Sequence, residues 1–287
     1  MSIITFKSNE RKETGQTLSI AAVATQLAIE HNYKILIIST SFRENTLENC
    51  FWDDSKIKKQ ATKGIDISGI IPQSTSGIGS GIEGLLKVFA SNKTSPEIIR
   101  NYSRIVLRDR LDVLVSPYTI DYKEYSNISS SYVDVIQLAS RYYDLVFVDL
   151  CNRMPEQDME DITRISDVVV MNLTQRLANI DEFLELRTTN ELYRRKNIML
   201  LIGRYDAFSK YNIKNITRYL RERQGINAIP YNTLFFEACS EGKIIDLFLK
   251  MQNIKDVNDR NYLFIKEVSR VGNNIINKIK ELQMSNY

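Results

Sequence analysis

The chain has 287 residues, of which 43% are hydrophobic and 25% are charged, an ordinary globular composition with ample length for a large core. Its net charge of +3 is too small to indicate nucleic-acid binding by itself. Because His31 is the only histidine, a zinc site built on histidines and a Ser-His-Asp triad are both excluded as starting hypotheses.

Three cysteines, Cys50, Cys151 and Cys239, lie far apart in the chain. Their odd number and the absence of a Cys-x-x-Cys motif argue against a disulfide framework and favour a reduced setting. The sequence also shows no signal-peptide pattern and no run of about 18 apolar residues. We therefore expect a cytoplasmic protein without an integral membrane segment.

The chain opens with a predicted strand, a polar loop, a helix and a second strand. These four segments are Ile3–Phe6, Ser8–Thr17, Leu18–Glu30 and Lys34–Ile38. This order is typical of proteins that hold phosphate groups with backbone N–H groups and a helix N-terminus. The usual loop has glycines and a lysine before Ser or Thr. Here Gly15 and Thr17 are present, but Gln16 stands where the lysine is expected.

The rest of the chain alternates between apolar runs and helical patterns. Short apolar runs predict strands at Leu111–Val115, Leu145–Val148, Val168–Met171, Ile198–Ile202 and Ile226–Ile229. Spacings of three and four predict helices at Glu83–Ala90, Tyr132–Tyr142, Ile180–Arg195, Ile213–Arg223 and Asp256–Met284. Asp53–Ser80, rich in charge and glycine, is predicted as loops, with or without one short strand. Uninterrupted apolar strands are typical of parallel sheets buried on both faces. We predict one α/β domain over residues 1–287, doubly wound, with a mostly parallel central sheet and its ligand site at the carboxyl edge.

Several segments, taken in order, resemble the MinD/ParA family of deviant P-loop ATPases. They are Met1–Thr17, Tyr33–Ser41, Gly81–Phe89 with Leu111–Ser116, Tyr142–Asp149, Ser166–Val170 and Ala228–Asn232. The resemblance implies a P-loop NTPase-like fold and a nucleotide site. The implied nucleotide-binding residues are Arg11, Lys12, Glu13, Thr14, Gly15, Gln16, Thr17, Leu18, Arg204, Pro230 and Tyr231. It also implies Mg²⁺ ligands at Thr17 and Asp149. ATP or ADP with Mg²⁺ is one expectation, and no cofactor is an equal one.

The sequence also departs from the family pattern. Arg11 stands at the signature lysine, Lys12 and Glu13 at the paired glycines, Gln16 at the Walker lysine, and Ser39 and Ser41 at an Asp-x-Asp motif. Within the family, a chain with so many motif residues replaced is most similar to the TadZ/CpaE branch. That branch is associated with pilus-secretion machinery. Loss of charge near the phosphates weakens binding and reduces hydrolysis further. We therefore expect a degenerate protein with little or no hydrolysis.

Several functions stay open at this point. The first hypothesis is a localisation or assembly scaffold of the pilus, secretion or partition type. Such a scaffold would be a homodimer that binds proteins of a membrane-associated or partition machine. It would lie in the cytoplasm or peripherally at the inner face of the membrane. The second is an active, dimerising ATPase in which Arg11 replaces the lysine. The third is a DNA-binding partition or conjugation factor that uses a basic face, as ParA relatives do. The fourth is an unrelated α/β enzyme. The basic face consists of Lys210, Lys214, Arg218 and Arg221.

Each of these features also has a purely structural explanation. Thr17 is also explained by a helix N-cap, and the loop equally by a relic turn. A strand end would also explain Asp149, but its position after Phe147 and Val148 favours a Walker B residue. For the basic face a solvated helix surface is the preferred reading, because charge on the outer face of a helix is the default. Gly203 is predicted as a strand-end turn. The C-terminal helix resembles the membrane-binding helix of MinD relatives, but its apolar stripe lacks tryptophan, so we predict that it packs on the sheet or on a partner helix.

Overall fold

The computed structural model of the chain describes residues 1–10, 14–53, 81–89, 95–117, 119, 121–222 and 225–285. Within these residues the strands are β1 (Ser2–Lys7), β2 (Ile35–Ser39), β3 (Arg104–Leu107), β4 (Leu111–Leu114), β5 (Leu145–Asp149), β6 (Val168–Leu173), β7 (Ile198–Tyr205) and β8 (Asn227–Pro230). They form one sheet in the order β3-β4-β2-β5-β1-β6-β7-β8. The β3–β4 pair is antiparallel, and all other neighbours are parallel.

Helices cover both faces of this sheet. They are α1 (Gln16–Glu30), α2 (Thr46–Phe51), α3 (Gly81–Phe89), α4 (Ile98–Tyr102), α5 (Tyr122–Ser129), α6 (Tyr132–Ala139), α7 (Glu156–Ile165), α8 (Leu177–Thr189), α9 (Ile213–Leu220), α10 (Thr233–Ser240), α11 (Ile244–Met251) and α12 (Arg260–Ser285). A 3₁₀ helix, Glu191–Arg194, follows α8. The predicted doubly wound α/β class is confirmed.

Each central strand contributes to a core on both sides, because successive side chains of a strand point to opposite faces. Phe6 and Phe147 pack with α1 and α12 on one face. Val146 and Val148 pack with α5 and α6 on the other face. A third cluster lies under α8 and α9. This double burial explains why the central strands are mostly apolar.

Several predicted boundaries are wrong for local reasons. The helix predicted over Ile180–Arg195 ends at Thr189, because the Asn190 side chain accepts a hydrogen bond from the N–H of Leu192 and starts the 3₁₀ helix. The helix predicted to begin at Asp256 begins at Arg260, after turns in which aspartate side chains accept backbone N–H groups. The helix predicted to run to Tyr142 ends at Ala139. Most of Asp53–Ser80 lies outside the described residues.

The C-terminal helix α12 packs within the molecule, as predicted. Its apolar stripe is buried, and the residues in it are Phe264, Val268, Val271, Ile275 and Ile279. At Gly272 the helix comes so close to α1 that an added Cβ would lie 3.0 Å from the Leu27 side chain. The stripe therefore belongs to the core on the α1 face. None of the helices in the described part of the chain combines the length and apolar character that a membrane span needs.

Candidate functional site

The site is built where α1 begins, at the carboxyl edge of the sheet. Gly15 is the N-cap of α1 and has a φ of +71°, a conformation that glycine adopts without steric cost. An added Cβ there would lie 2.9 Å from Cγ of Arg204. The first N–H groups of a helix have no partners within it, so this end of α1 can receive an anion, but the N–H of Gln16 already donates to the Thr14 hydroxyl at 3.3 Å. Thr17 lies inside α1, so the reading of Thr17 as the N-cap is wrong.

The loop before α1 is fixed against the neighbouring strands. The Asn172 side-chain amide on β6 donates to the backbone oxygen of Thr14 at 2.5 Å. On the next strand, a Cβ at Gly203 would lie 2.5 Å from the same oxygen. Gly203 lies inside β7, so its prediction as a strand-end turn is wrong. Asn172 was missed in the sequence because it ends an apolar strand without any motif.

A polar cleft of about 410 Å³ opens at this edge. Its described lining residues are Glu10, Thr14, Gly15, Gln16, Thr17, Leu18, Ser41, Glu44, Thr46, Asp149, Leu150, Cys151, Asn152, Arg153 and Arg204. A smaller and mainly apolar slot adjoins it. The slot is lined by Gly15, Leu18, Ser19, Arg204, Ile229, Pro230, Tyr231, Asn232, Phe235 and Phe236. The structure thus brings together the implied nucleotide residues from Thr14 to Leu18, Arg204, Pro230 and Tyr231. Arg11, Lys12 and Glu13 lie outside the described residues.

Gln16 does not extend into the cleft as a phosphate-binding lysine would. Its side-chain Nε2 donates to Oδ1 of Asp149 at 2.7 Å and to the backbone oxygen of Leu150 at 3.0 Å. Both hydrogens of the amide are therefore used by the end of β5. Gln16 occupies the place of the Walker lysine in sequence, but its donors are turned toward the sheet.

Asp149 is buried, with 3% of its surface exposed. Burial raises the pKa of this carboxyl group, and hydrogen bonds from the Gln16 and Thr17 side chains oppose the rise only in part. No donor in the described part of the chain meets the buried Oδ2 with hydrogen-bond geometry. The carboxylate is therefore held by neutral groups and by no cation in that part of the chain.

The residues present fit a magnesium ion poorly. Thr17 and Asp149, the two implied ligands, do come together at the cleft. However, Mg²⁺ needs near-octahedral oxygen ligands, and an N–H of Gln16 already occupies Oδ1 of Asp149, so the two implied ligands leave only Oδ2 and the Thr17 hydroxyl for a metal. Ser39, at one of the missing aspartates, is fully buried and its hydroxyl has no partner among the described residues.

Three solved structures are similar over nearly the whole chain. A ParA family ATPase from Chlorobium tepidum has a TM-score of 0.68 at 16% identity and covers 94% of this chain and 98% of its own. The MinD protein of Pyrococcus horikoshii, complexed with Mg-ADP, has a TM-score of 0.63 at 14% identity and covers 94% and 95%. A putative plasmid partition protein of Borrelia burgdorferi, bound to AMPPNP, has a TM-score of 0.57 at 18% identity and covers 100% and 99%.

The chain has the ParA/MinD fold. Comparisons with models of protein families and with curated protein sequences found no match to it. The likeness is therefore one of backbone architecture.

Two tyrosines from the α5–α6 region hold the β2 edge of this ParA/MinD fold. The Tyr132 hydroxyl donates to the backbone oxygen of Ser39 at 3.0 Å, and the Tyr125 hydroxyl donates to that of Thr40 at 2.7 Å. Both rings are fully buried. The Thr40 hydroxyl in turn donates to the backbone oxygen of Asp149 at 2.9 Å. Buried hydrogen bonds of this kind fix the strand ends on which the cleft is built.

The charges at the rim of the cleft are mostly neutralised in pairs. Arg153 forms an ion pair with Glu44 at 3.3 Å. Glu10 forms a short ion pair with Arg176. Arg204 forms no ion pair with a carboxylate in the described part of the chain, and its guanidinium lies 5.9 Å from the centre of the Tyr231 ring. Its φ of +53° is unusual for a residue with a side chain, and such strain costs about 1–3 kcal/mol.

Replacement of Gly15 by alanine should destabilise the fold by two effects. The positive φ costs about 1 kcal/mol for any side chain, and crowding against Arg204 adds about 1 kcal/mol. Gly225→Ala is the matched control, because Gly225 has a φ of +80° and no described atom lies within 4 Å of its added Cβ. Urea unfolding should show a larger loss for Gly15→Ala. Equal losses would contradict the close contact with Arg204.

Asp149→Asn should change how stability depends on pH. Because the pKa of Asp149 is raised in the folded state, its stabilising contribution is complete below the pKa of the unfolded chain and is lost as the pH rises through the folded pKa. Asparagine keeps an oxygen for Gln16 and does not ionise. Urea unfolding between acidic and neutral pH should therefore show the variant gaining stability relative to the original chain as the pH rises.

The control for this experiment is Glu237→Gln on the exposed side of α10, which removes one negative charge away from the cleft lining. Its stability difference from the original chain should not follow the Asp149→Asn profile. A relative loss of stability for Asp149→Asn with rising pH would mean that the carboxylate is stabilised by a cation.

Proposed function

We propose that this chain is a localisation or assembly scaffold with a ParA/MinD fold, which binds nucleotide weakly or not at all and does not hydrolyse ATP. The observation that carries the proposal is the pair of hydrogen bonds from Gln16 to Asp149 and Leu150. They place an uncharged donor at the position of the Walker lysine and direct it away from the cleft. Any nucleotide bound here, ATP or ADP, is held without magnesium.

Charge arithmetic supports weak binding and weaker hydrolysis. A hydrogen bond to a charged group contributes about 1.5–3 kcal/mol, against about 1 kcal/mol for a neutral one. Loss of the lysine charge therefore weakens phosphate binding by roughly tenfold. Hydrolysis depends on stabilising the charge that develops on the phosphates in the transition state. The Walker lysine and the Asp-x-Asp carboxylates that would contribute to this stabilisation are absent from this chain. A cleft with this chemistry is better suited to a structural role than to turnover.

The surface beside the slot supports a role in assembly. Tyr231, Leu234 and Phe236 are large apolar side chains that remain exposed there. Exposed apolar groups near one another are typical of sites that contact other proteins. We propose a homodimer, located in the cytoplasm or peripherally at the inner face of the membrane, that recruits protein partners of a pilus, secretion or partition machine.

The decisive measurement is ATP hydrolysis together with calorimetric ATP binding, with excess Mg²⁺ and with EDTA. We expect no phosphate release above the buffer background. Any ATP affinity should be the same within about twofold in the two conditions, because Asp149 is engaged by Gln16 rather than by a metal. Asp149→Asn should leave that affinity unchanged.

The competing hypothesis of an active ATPase predicts the opposite. Turnover that requires Mg²⁺ and is lost in both Thr17→Ala and Asp149→Ala would overturn the scaffold proposal. The two substitutions matter together, because contamination by another ATPase would respond to neither of them.

A second candidate function is nonspecific DNA binding through the basic face. Lys214 and Arg218 lie on α9, and Lys210 and Arg221 flank it. All four side chains are exposed, and none forms an ion pair within the described residues. The opposite side of α9 is anchored in the core through Ile216 and Leu220. Unneutralised lysines and arginines on one face are suited to phosphate backbones, although a solvated surface has the same composition.

A gel-shift titration at low salt tests this face. We expect duplex DNA binding that weakens steeply with salt, and that falls by about tenfold or more when the four basic residues are changed to glutamine. The charge-matched control changes four exposed lysines elsewhere to glutamine, at Lys250, Lys255, Lys266 and Lys280. Equal losses in the two variants, or no binding at low salt, would remove this function.

A further inference from the structure

We propose that Arg204 supplies to a bound phosphate group the positive charge that Gln16 does not supply. The ligand class is a diphosphate or triphosphate, held by a guanidinium from β7 instead of a lysine from the loop before α1. This inference rests on the proposed function, since it concerns the same cleft. It adds the residue that determines phosphate affinity and the reason why a metal is not needed.

The position of Arg204 is the first argument. It lines both the polar cleft and the apolar slot. Its Cγ packs against Gly15, at the N-cap of α1. The stem of the side chain therefore lies at the junction between the two cavities, beside the first turn of the helix. A phosphate at the helix N-terminus and a base in the slot would both lie within reach of such a group.

The charge balance of the cleft is the second argument. Arg153 and Arg204 are the two cationic side chains among the described lining residues. The Arg153 guanidinium is bound by Glu44, so its charge is already compensated. Arg204 has only a distant contact with the Tyr231 ring and no carboxylate partner in the described part of the chain. A guanidinium in this state can form two parallel hydrogen bonds with a phosphate at little cost in broken contacts.

The backbone around Arg204 is the third argument. Gly203 has no room for a Cβ because of the Thr14 oxygen, and Arg204 follows it with a positive φ. These two features place the base of the side chain close to Thr14, just before α1. Strained backbone of this kind persists where the surroundings over-determine it, which is common at binding sites.

The alternative role for Arg204 is to stack its guanidinium on the Tyr231 ring or on a nucleotide base without contacting phosphate. Pyrophosphate and adenosine separate the two roles, because the first lacks a base and the second lacks a phosphate. Calorimetry with each compound, in EDTA and at low ionic strength, should show wild-type binding of pyrophosphate. Arg204→Gln should weaken that binding by roughly tenfold or more and leave adenosine binding unchanged.

Two further variants sharpen the test. Arg153→Gln removes an equal charge from the same cleft, but one that Glu44 compensates, so pyrophosphate affinity should change by about twofold or less. Arg204→Lys keeps the charge and loses the planar fork, so its affinity should lie between those of the original chain and Arg204→Gln. Urea midpoints of all variants confirm that the fold is retained.

The outcomes distinguish this inference from the proposed function. Absence of pyrophosphate binding at millimolar concentration, equal losses for Arg153→Gln and Arg204→Gln, or a loss confined to adenosine would each overturn the role of Arg204 while the scaffold proposal stands. Magnesium-dependent ATP turnover would overturn the scaffold proposal, while a selective pyrophosphate defect in Arg204→Gln would still support the role of Arg204.

Discussion

The hydrogen bond from Gln16 to Asp149 is the interaction on which the chemistry of this site depends. It joins the first turn of α1 to the end of β5 and gives one oxygen of an almost completely buried carboxylate a donor, while Oδ2 has none among the described residues. A neutral amide gives such a carboxylate a partner but no compensating charge, so burial raises its pKa. The cleft therefore keeps the shape of a phosphate site, but the Gln16 side chain is hydrogen-bonded to Asp149 and to the backbone oxygen of Leu150.

The departures from the MinD/ParA pattern are consistent with one another in physical terms. Ser39 lies beside Asp149 in the register of β2 and β5. With a lysine at position 16, several carboxylates at this edge would share a cation. With Gln16 there, a second carboxylate at Ser39 would be a buried charge without a partner, which costs several kcal/mol. Loss of the lysine and loss of the neighbouring aspartates thus support each other, and the Tyr125 and Tyr132 hydroxyls hold the strand end in place.

Much of the fold followed from the sequence, because its central strands are buried on both faces and leave continuous apolar runs. The edge strand β3 was missed, since it is short and partly exposed and therefore has no such run. The break at Asn190 was missed because a side-chain hydrogen bond decided it, within a pattern that still had helical spacing. The spacing of apolar residues predicts which side chains are buried. It does not predict which polar side chain will form a hydrogen bond with the backbone and end a helix.

The candidate site was predictable only where it follows a motif. Residues from Thr14 to Leu18 and Asp149 were found because strand, loop and helix order places them at one edge. Asn172 and the two tyrosines act through contacts between segments distant in the chain, which leave no spacing signal. The direction of the Gln16 side chain was equally hidden, because the sequence shows which donor is present and not which acceptor takes it.

The packing of α1 limits how this site can communicate with a partner. Residues 19–28 of α1 are all buried, and α12 packs closely against the helix where Gly272 meets Leu27. Because close-packed interiors do not deform continuously, α1 cannot shift as a unit when a ligand enters the cleft. The exposed groups at the slot, Tyr231, Leu234 and Phe236, are free of that constraint. A partner that senses the site would therefore contact the slot side, where the Arg204 guanidinium lies 5.9 Å from the centre of the Tyr231 ring.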